Sequence, residues 1–318
     1  MSSMTTEGLS ELGRQTRSHY EGLVRTRRLY TVLSIGVLLT FLGFALWFAD
    51  NSNAGRFFER LPFFFDFFIH FQPDDPFEIF RAMFDIPSPY ADGSFKYDYE
   101  VGRVYVWGDF YIPEYFYQLL VTINVALIST LLGFLLAFPL AFVAARNLTR
   151  SASLRFAVRR CLEILRAFPE IVIAGMLVAI LSLGPIAAIV AVAVHTVGAL
   201  GKLYYEVIEN ADMKPDEGLR AVGGNWFERV RFGIMPQVLP NFVSYLLLRT
   251  EVNVRASTII GAVGGGGIGE VFRLSIGRDY AAKTYAIIIL LFVTIVAIDW
   301  ISTQLRRRLV GGVQGGWA

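Results

Sequence analysis

The chain has 318 residues, 54% of them hydrophobic and 18% charged, with a mean hydropathy of +0.50; the interior of a water-soluble domain cannot absorb that apolar excess. A formal charge of +2 is too small to suggest a nucleic-acid partner, the single Cys161 excludes an internal disulfide, and three histidines with that thiol show no metal-ligand spacing. There is no Gly-Lys-Ser/Thr nucleotide loop, no Gly-x-Ser-x-Gly elbow and no His-Glu-x-x-His pair, so a polytopic membrane protein without catalysis of its own is expected.

Residues 1–29 carry Arg14, Arg17, Arg25, Arg27 and Arg28 ahead of an uncharged run from Tyr30 to Ala49. Such a run covers a hydrocarbon core about 30 Å thick at about 1.5 Å per residue, so 30–49 is predicted as the first crossing. Residues 50–114 form an extended segment after it. Within that segment Leu61 to Phe71 reads LPFFFDFFIHF, too short to span and rich in rings that suit a membrane–water boundary; an interfacial helix is predicted, with docking of an external partner as the alternative. Glycine, proline and tyrosine recur through 87–113, which predicts an ordered but irregular loop.

Tyr115 to Ala145 contains no charge over 31 residues and is predicted as the second crossing, with Pro139 near one end. The next uncharged run, Ile171 to Gly201, would be roughly 46 Å long as one helix, and Leu183-Gly184-Pro185 breaks it. Two crossings near 163–183 and 185–205 are predicted instead. A hydrophilic loop over 206–236 follows, then a fifth crossing from Gln237 to Ile260, a glycine-rich stretch, a sixth crossing from Ala281 to Ile301, and a tail, 302–318, containing Arg306, Arg307 and Arg308. Residues 49–114 hold twelve acids and five bases, whereas 145–160 hold Arg146, Arg150, Arg155, Arg159 and Arg160 and no acid. The positive-inside bias therefore predicts both termini and 145–160 in the cytoplasm, and 50–114 outside.

The loop contains Glu217-Gly218-Leu219-Arg220-Ala221-Val222-Gly223 and, after nine residues, Gly233-Ile234-Met235-Pro236. This resembles the EAA loop of ABC importer permeases, in which Glu-Ala-Ala, three residues and Gly precede, by nine residues, Ile-x-Leu-Pro. Glu217, Gly223 and Pro236 match and Met235 replaces Leu; Gly218 and Leu219 depart from the alanines, and Gly233 departs from Ile. Leu181 to Pro185, Ala193 to Tyr204, Glu206 to Glu209, Glu251 to Thr258 and Gly261 to Gly269 look like the phosphonate-type branch of these permeases, and the resemblance covers roughly 115 to 301. By chemistry alone the loop predicts a helix from about Asp216 ending at Gly223-Gly224 and a second short helix over Trp226 to Phe232, a rigid knob between two crossings.

Four polar residues interrupt the fifth crossing. Glu251 and Arg255 are four apart on one face, Arg249 and Asn253 are four apart on another, and charge there faces protein or a watery path. A structural ion pair is one reading; the other is that Arg255 draws an anionic substrate while Glu251 tempers its charge. Glycines 264 to 267, Gly265 and Gly266 among them, serve either as an anion nest or as a close-packed bend. His195 and Thr196 either line the path or bond a neighbouring helix.

The resemblance implies an all-α membrane protein of about six transmembrane helices, like a type I ABC importer permease, in a bacterial cytoplasmic membrane. It implies ATPase coupling through Glu217, Gly223, Met235 and Pro236; the candidates for a substrate path, each with the structural alternative given above, are Arg255, Glu251, Asn253, His195, Thr196, Gly265 and Gly266. The implied partners are a cytoplasmic ABC ATPase dimer that uses ATP and Mg, an extracytoplasmic substrate-binding protein, a second permease copy and lipid, with no cofactor held by this chain. The expected solute is a phosphonate or related phosphorus oxyanion. The alternative is a secondary transporter or channel driven by an ion gradient, for which Glu251 is the strongest buried carboxylate.

Overall fold

A computed structural model describes residues 6–51, 63, 73, 75–86, 104–107, 110–181, 184–277 and 281–314. Packing divides the chain into two units, Met1–Gln72 and Pro73–Ala318, so the division falls inside the expected 50–114 segment. Most of the Leu61–Phe71 ring-rich run lies outside the described residues. The first unit contains helix α1, Thr6–Asn51. Its helix begins well before the predicted Tyr30, because no glycine–proline signal separates the basic stretch from the apolar one. The hydroxyls of Thr31 and Thr40 are satisfied within the helix, donating to the carbonyls of Arg27 and Gly36 at 2.9 Å.

The second unit begins with helix α2, Phe77–Met83, and a two-stranded antiparallel hairpin, β1 Val104–Trp107 and β2 Phe110–Ile112. The hairpin is regular structure where an irregular loop was expected. Helix α3, Glu114–Ala144, follows the predicted second crossing to within a residue at each end. Its start is capped from a distance: the Glu114 N–H donates to Asp85 Oδ2 at 2.7 Å. Ala82, Tyr115, Leu119, Ile268, Ala282, Ala286, Ile287 and Leu290 form one buried cluster, which ties α2 to the ends of the long helices.

The third predicted crossing is corrected. Instead of one helix over 163–183 there are two, α4 Ala152–Ala167 and α5 Glu170–Leu181, parted at Phe168-Pro169. Pro169 pushes the residue before it out of the helical region, and Phe168 has φ −79°, ψ 129°. With 12 residues, α5 is about 18 Å long and short of a hydrocarbon core by itself. Helix α6, Gly184–Glu209, starts at the expected break.

Helix α7, Lys214–Ala221, and a one-turn α8, Trp226–Glu228, lead through π-helical turns at Arg229–Ile234 into α9, Met235–Ile260. A kink at Gly261–Gly265, where Val263 and Gly264 leave helical geometry, precedes α10, Ile268–Gly277, and α11, Ala281–Gln314, ends the described chain. Among the described residues four helices are long and apolar enough to cross a membrane, and a fifth span forms if Trp226–Gly265 and Ile268–Ile276, bent by 59°, count as one.

The main core joins α3, α6 and α9 through Ala137, Ala141, Phe142, Leu200, Tyr204, Ile208, Val238 and Phe242. Tyr204 stacks on Phe242 with ring centroids 4.1 Å apart, and its hydroxyl donates to the Phe242 carbonyl at 3.1 Å. Lipid tails are as apolar as these side chains, so close packing and such interhelical bonds, rather than escape from water, hold the helices together.

Candidate functional site

The loop between α6 and α9 folds into two short helical arms braced against each other. Pro215 in the first turn of α7 suits a helix start, and Asp216 and Glu217 follow it. The two acids then part company. Glu217 is exposed, whereas Asp216 is 3% exposed and its two oxygens accept from Arg229 Nε at 2.9 Å and Nη2 at 2.7 Å. This planar, two-bond fit welds α7 to the π-helical arm opposite it.

The arms approach closely because of Gly233: a Cβ built there would lie 3.2 Å from the Asp216 nitrogen and 3.3 Å from its Cα. The departure from Ile in the loop pattern therefore has a local cause. Gly223 turns the chain at φ +84°, a conformation costly for any side chain, although nothing lies within 4 Å of a Cβ built there. The second arm opens with a capping box, Asn225 accepting from the Glu228 N–H at 3.0 Å and Glu228 accepting from the Asn225 N–H at 2.7 Å.

Met235 packs against the main core and Pro236 is exposed at the start of α9, so the knob continues into a long helix without a hinge loop. Gln237 adds a brace, donating to the Gly233 carbonyl at 2.7 Å and the Asp212 carbonyl at 3.0 Å. Arg159 on α4 donates to the Ala144 carbonyl at 2.9 Å and pairs with Glu209, tying the ends of α3 and α6 to α4 beside the knob. Val222, Phe227 and Phe232 are exposed, giving the loop an apolar tip.

The polar residues of the helices separate into two groups. Asn253, fully buried, donates to Thr130 Oγ1 at 2.8 Å and Thr196 Oγ1 at 3.0 Å, joining α9 to α3 and α6. Thr196 is also fully buried and accepts from Arg249 Nε at 3.4 Å. Both residues are wholly buried, and their bonds join three helices. His195 Nδ1 lies 3.2 Å from the Phe168 carbonyl and 3.4 Å from Glu170 Oε2, at the break between α4 and α5.

Gly265 is buried as well, and a Cβ there would lie 2.7 Å from Ile260 Cγ2; at Gly266, φ +76°, it would lie 2.8 Å from Pro185 Cγ. These two glycines make the bend between α9 and α10 pack against the start of α6.

Glu251 and Arg255 do pair, Oε1 to Nη2, at 2.6 Å. Glu251 is buried and Arg255 is exposed, the one charge among the exposed α9 residues Pro236, Leu239, Asn241, Leu248, Arg255 and Ile259. A guanidinium is too costly to leave against hydrocarbon, so this stripe has to meet protein or water. The other Glu251 oxygen lies 3.6 Å from Arg306 Nη2 on α11, a partner that helical spacing within one segment does not reveal.

A helical membrane subunit with a braced loop between two long helices is thus defined. Residues 133–311 match the family described as binding-protein-dependent transport system inner membrane component, and the chain belongs to that family, one of transport components and not of enzymes. It is 38% identical over 189 residues to the phosphate-import permease protein PhnE of Mycolicibacterium smegmatis, covering 59% of this chain and 36% of that one. It is 37% identical over 154 residues to the putative phosphite transport system permease protein HtxE of Stutzerimonas stutzeri, covering 48% and 59%. It is 40% identical over 117 residues to the putative cryptic phosphonate transport system permease protein PhnE2 of Escherichia coli strain K12, covering 37% and 96%. The matched part thus spans less than two thirds of the first two relatives.

Among solved structures, a chain of the methionine ABC transporter MetNI in an inward-facing conformation has a TM-score of 0.55 at 22% identity, over 61% of this chain and 95% of that one. A chain of an amino acid ABC transporter has a TM-score of 0.52 at 18% identity, over 61% and 93%. At these identities the likeness establishes the fold, that of a type I importer permease.

Proposed function

We propose that this chain is the permease subunit of an ATP-driven importer, forming the path for a phosphonate or related phosphorus oxyanion. The observation that carries the coupling half of this reading is the Asp216–Arg229 weld, which makes the knob stiff enough to pass motion from its tip into α9. The partner at the tip is a cytoplasmic ATPase dimer, where ATP and Mg are used, and an extracytoplasmic binding protein delivers the solute. A second permease copy completes the path, with Arg255 on its wall, Glu251 buried behind it, and His195 and Gly266 as further candidates. Both termini and the knob lie in the cytoplasm, and the segment after α1 lies outside, in keeping with the charge bias along the chain.

The solute class rests on the names of relatives at 37–40% identity and on the exposed Arg255, whose planar donors suit a tetrahedral oxyanion. Co-purification tests the coupling: the chain, expressed with an ABC ATPase and solubilised, retains that ATPase, and Asp216→Ala releases it. Equal retention by both proteins would remove the coupling role of the knob.

A further inference from the structure

The Glu251 carboxylate is shared between two helices. One oxygen holds Arg255 Nη2 at 2.6 Å on its own helix, and the other faces Arg306 Nη2 at 3.6 Å from α11. Arg306 is itself held in place, with Nε donating to the Ser302 carbonyl at 3.4 Å and Nη2 to Thr303 Oγ1 at 3.3 Å. Exposure grades across the cluster: the side chain of Glu251 is 9% exposed, Arg306 29% and Arg255 45%.

A carboxylate paired with one guanidinium is neutral, and a neutral pair exerts little pull on an anion beyond contact distance. Two guanidinium groups on one buried carboxylate leave one positive charge. Because Glu251 is buried and its second oxygen is drawn toward Arg306, Arg255 keeps donors free on its exposed side, where an arriving oxyanion would meet them.

We infer that Arg306 is a positioning residue for the transported anion: by sharing Glu251 with Arg255 it leaves the cluster one net positive charge and directs that charge to the exposed Arg255. This rests on the proposed anion-transport reading and extends it to α11, so that the attraction for substrate depends on two helices keeping their register. The cluster is weakly cationic by construction, as an escapable station on a path requires.

The test uses the full complex of permease, ATPase and binding protein in proteoliposomes, with radiolabelled phosphate, phosphite and methylphosphonate as probes. Arg306→Gln neutralises the cluster and is expected to lower the maximal uptake rate about tenfold, the scale of one unit charge lost in a partly desolvated site. Arg306→Lys restores the charge and keeps most of the rate. Glu251→Gln combined with Arg306→Gln returns the cluster to one positive charge, on Arg255 alone, and recovers uptake.

A purely structural bridge moves assembled yield instead: losing one partner strands a charge, losing both relieves it, and uptake per assembled complex stays level across all three variants. Unchanged uptake in Arg306→Gln would overturn the inference, as would a double variant that assembles in normal yield without recovering uptake. If Arg306→Gln fails to assemble, the Arg306→Lys and double variants decide by the same criteria. Failure of the substrate reading looks different: the wild-type complex would then carry none of the three probes.

Discussion

Asp216 and Arg229 are thirteen residues apart in the chain and meet through two hydrogen bonds of 2.9 and 2.7 Å, with the Asp216 side chain 4% exposed. The pair closes the loop between α6 and α9 as a clasp. Removing Asp216 leaves Arg229, whose side chain is 15% exposed, without its two-bond partner, at a cost below the roughly 3–5 kcal/mol of a fully buried pair. Asp216→Ala is therefore expected to loosen the knob while the long helices still insert. Limited proteolysis of the loop, with membrane yield as the control, checks this; equal resistance in wild type and variant would contradict it.

Gly223 is expected to fail by backbone conformation rather than by crowding, since it has φ +84° with open space around its Cβ position. Gly223→Val should uncouple ATP hydrolysis from uptake, and Gly223→Asn should be the mildest replacement because asparagine tolerates the left-handed region. The ratio of ATP hydrolysed to solute carried, measured in proteoliposomes, orders the variants. A valine variant no worse than the asparagine one would remove the turn from the coupling mechanism.

Asn253 is expected to act on stability and not on selectivity. Its two donors bond Thr130 and Thr196 across three helices, and such bonds average about 0.6 kcal/mol inside membranes, with a maximum near 1.7. Asn253→Ala should lower the thermal midpoint of the solubilised chain and leave the ratio of phosphite to phosphate uptake unchanged. A shift in that ratio at unchanged stability would return Asn253 to the path.

Topology is checked with cysteine labelling in a Cys161→Ser background. Ser151→Cys, at the start of α4, should be shielded from an impermeant reagent added outside intact cells, and Asp75→Cys, just before α2, should react. The reverse pattern would invert the orientation.

The long helices were legible because membrane burial writes itself as missing charge: the 31 uncharged residues from Tyr115 to Ala145 reappear as α3, one residue earlier. The break at Phe168-Pro169 was hidden because charge counting merged the end of the basic α4 with the apolar α5. A proline at that position was itself the available signal. Gly223 and the glycine-rich bend were legible from the need for turns, and Asn225-x-x-Glu228 carries a visible capping pattern. The pairings of Asp216 with Arg229 and of Glu251 with Arg306 were not legible. Each joins groups brought together by the packing of separate elements, and neither follows a fixed spacing. Asn253 and Thr196 stay open to both readings in the sequence for the same reason: a polar group in an apolar helix marks an interaction without naming its partner, and their bonds to Thr130, Arg249 and each other appear only in the packing.

ATP-dependent uptake by the reconstituted complex measures the proposed transport most directly. With binding protein outside and ATP at the ATPase side, labelled phosphate, phosphite or methylphosphonate is expected to accumulate against its gradient, to stop when ATP is withheld, and to fall sharply in Gly223→Val. Accumulation driven by an ion gradient in the absence of ATP, or no accumulation of any of the three anions, would contradict it.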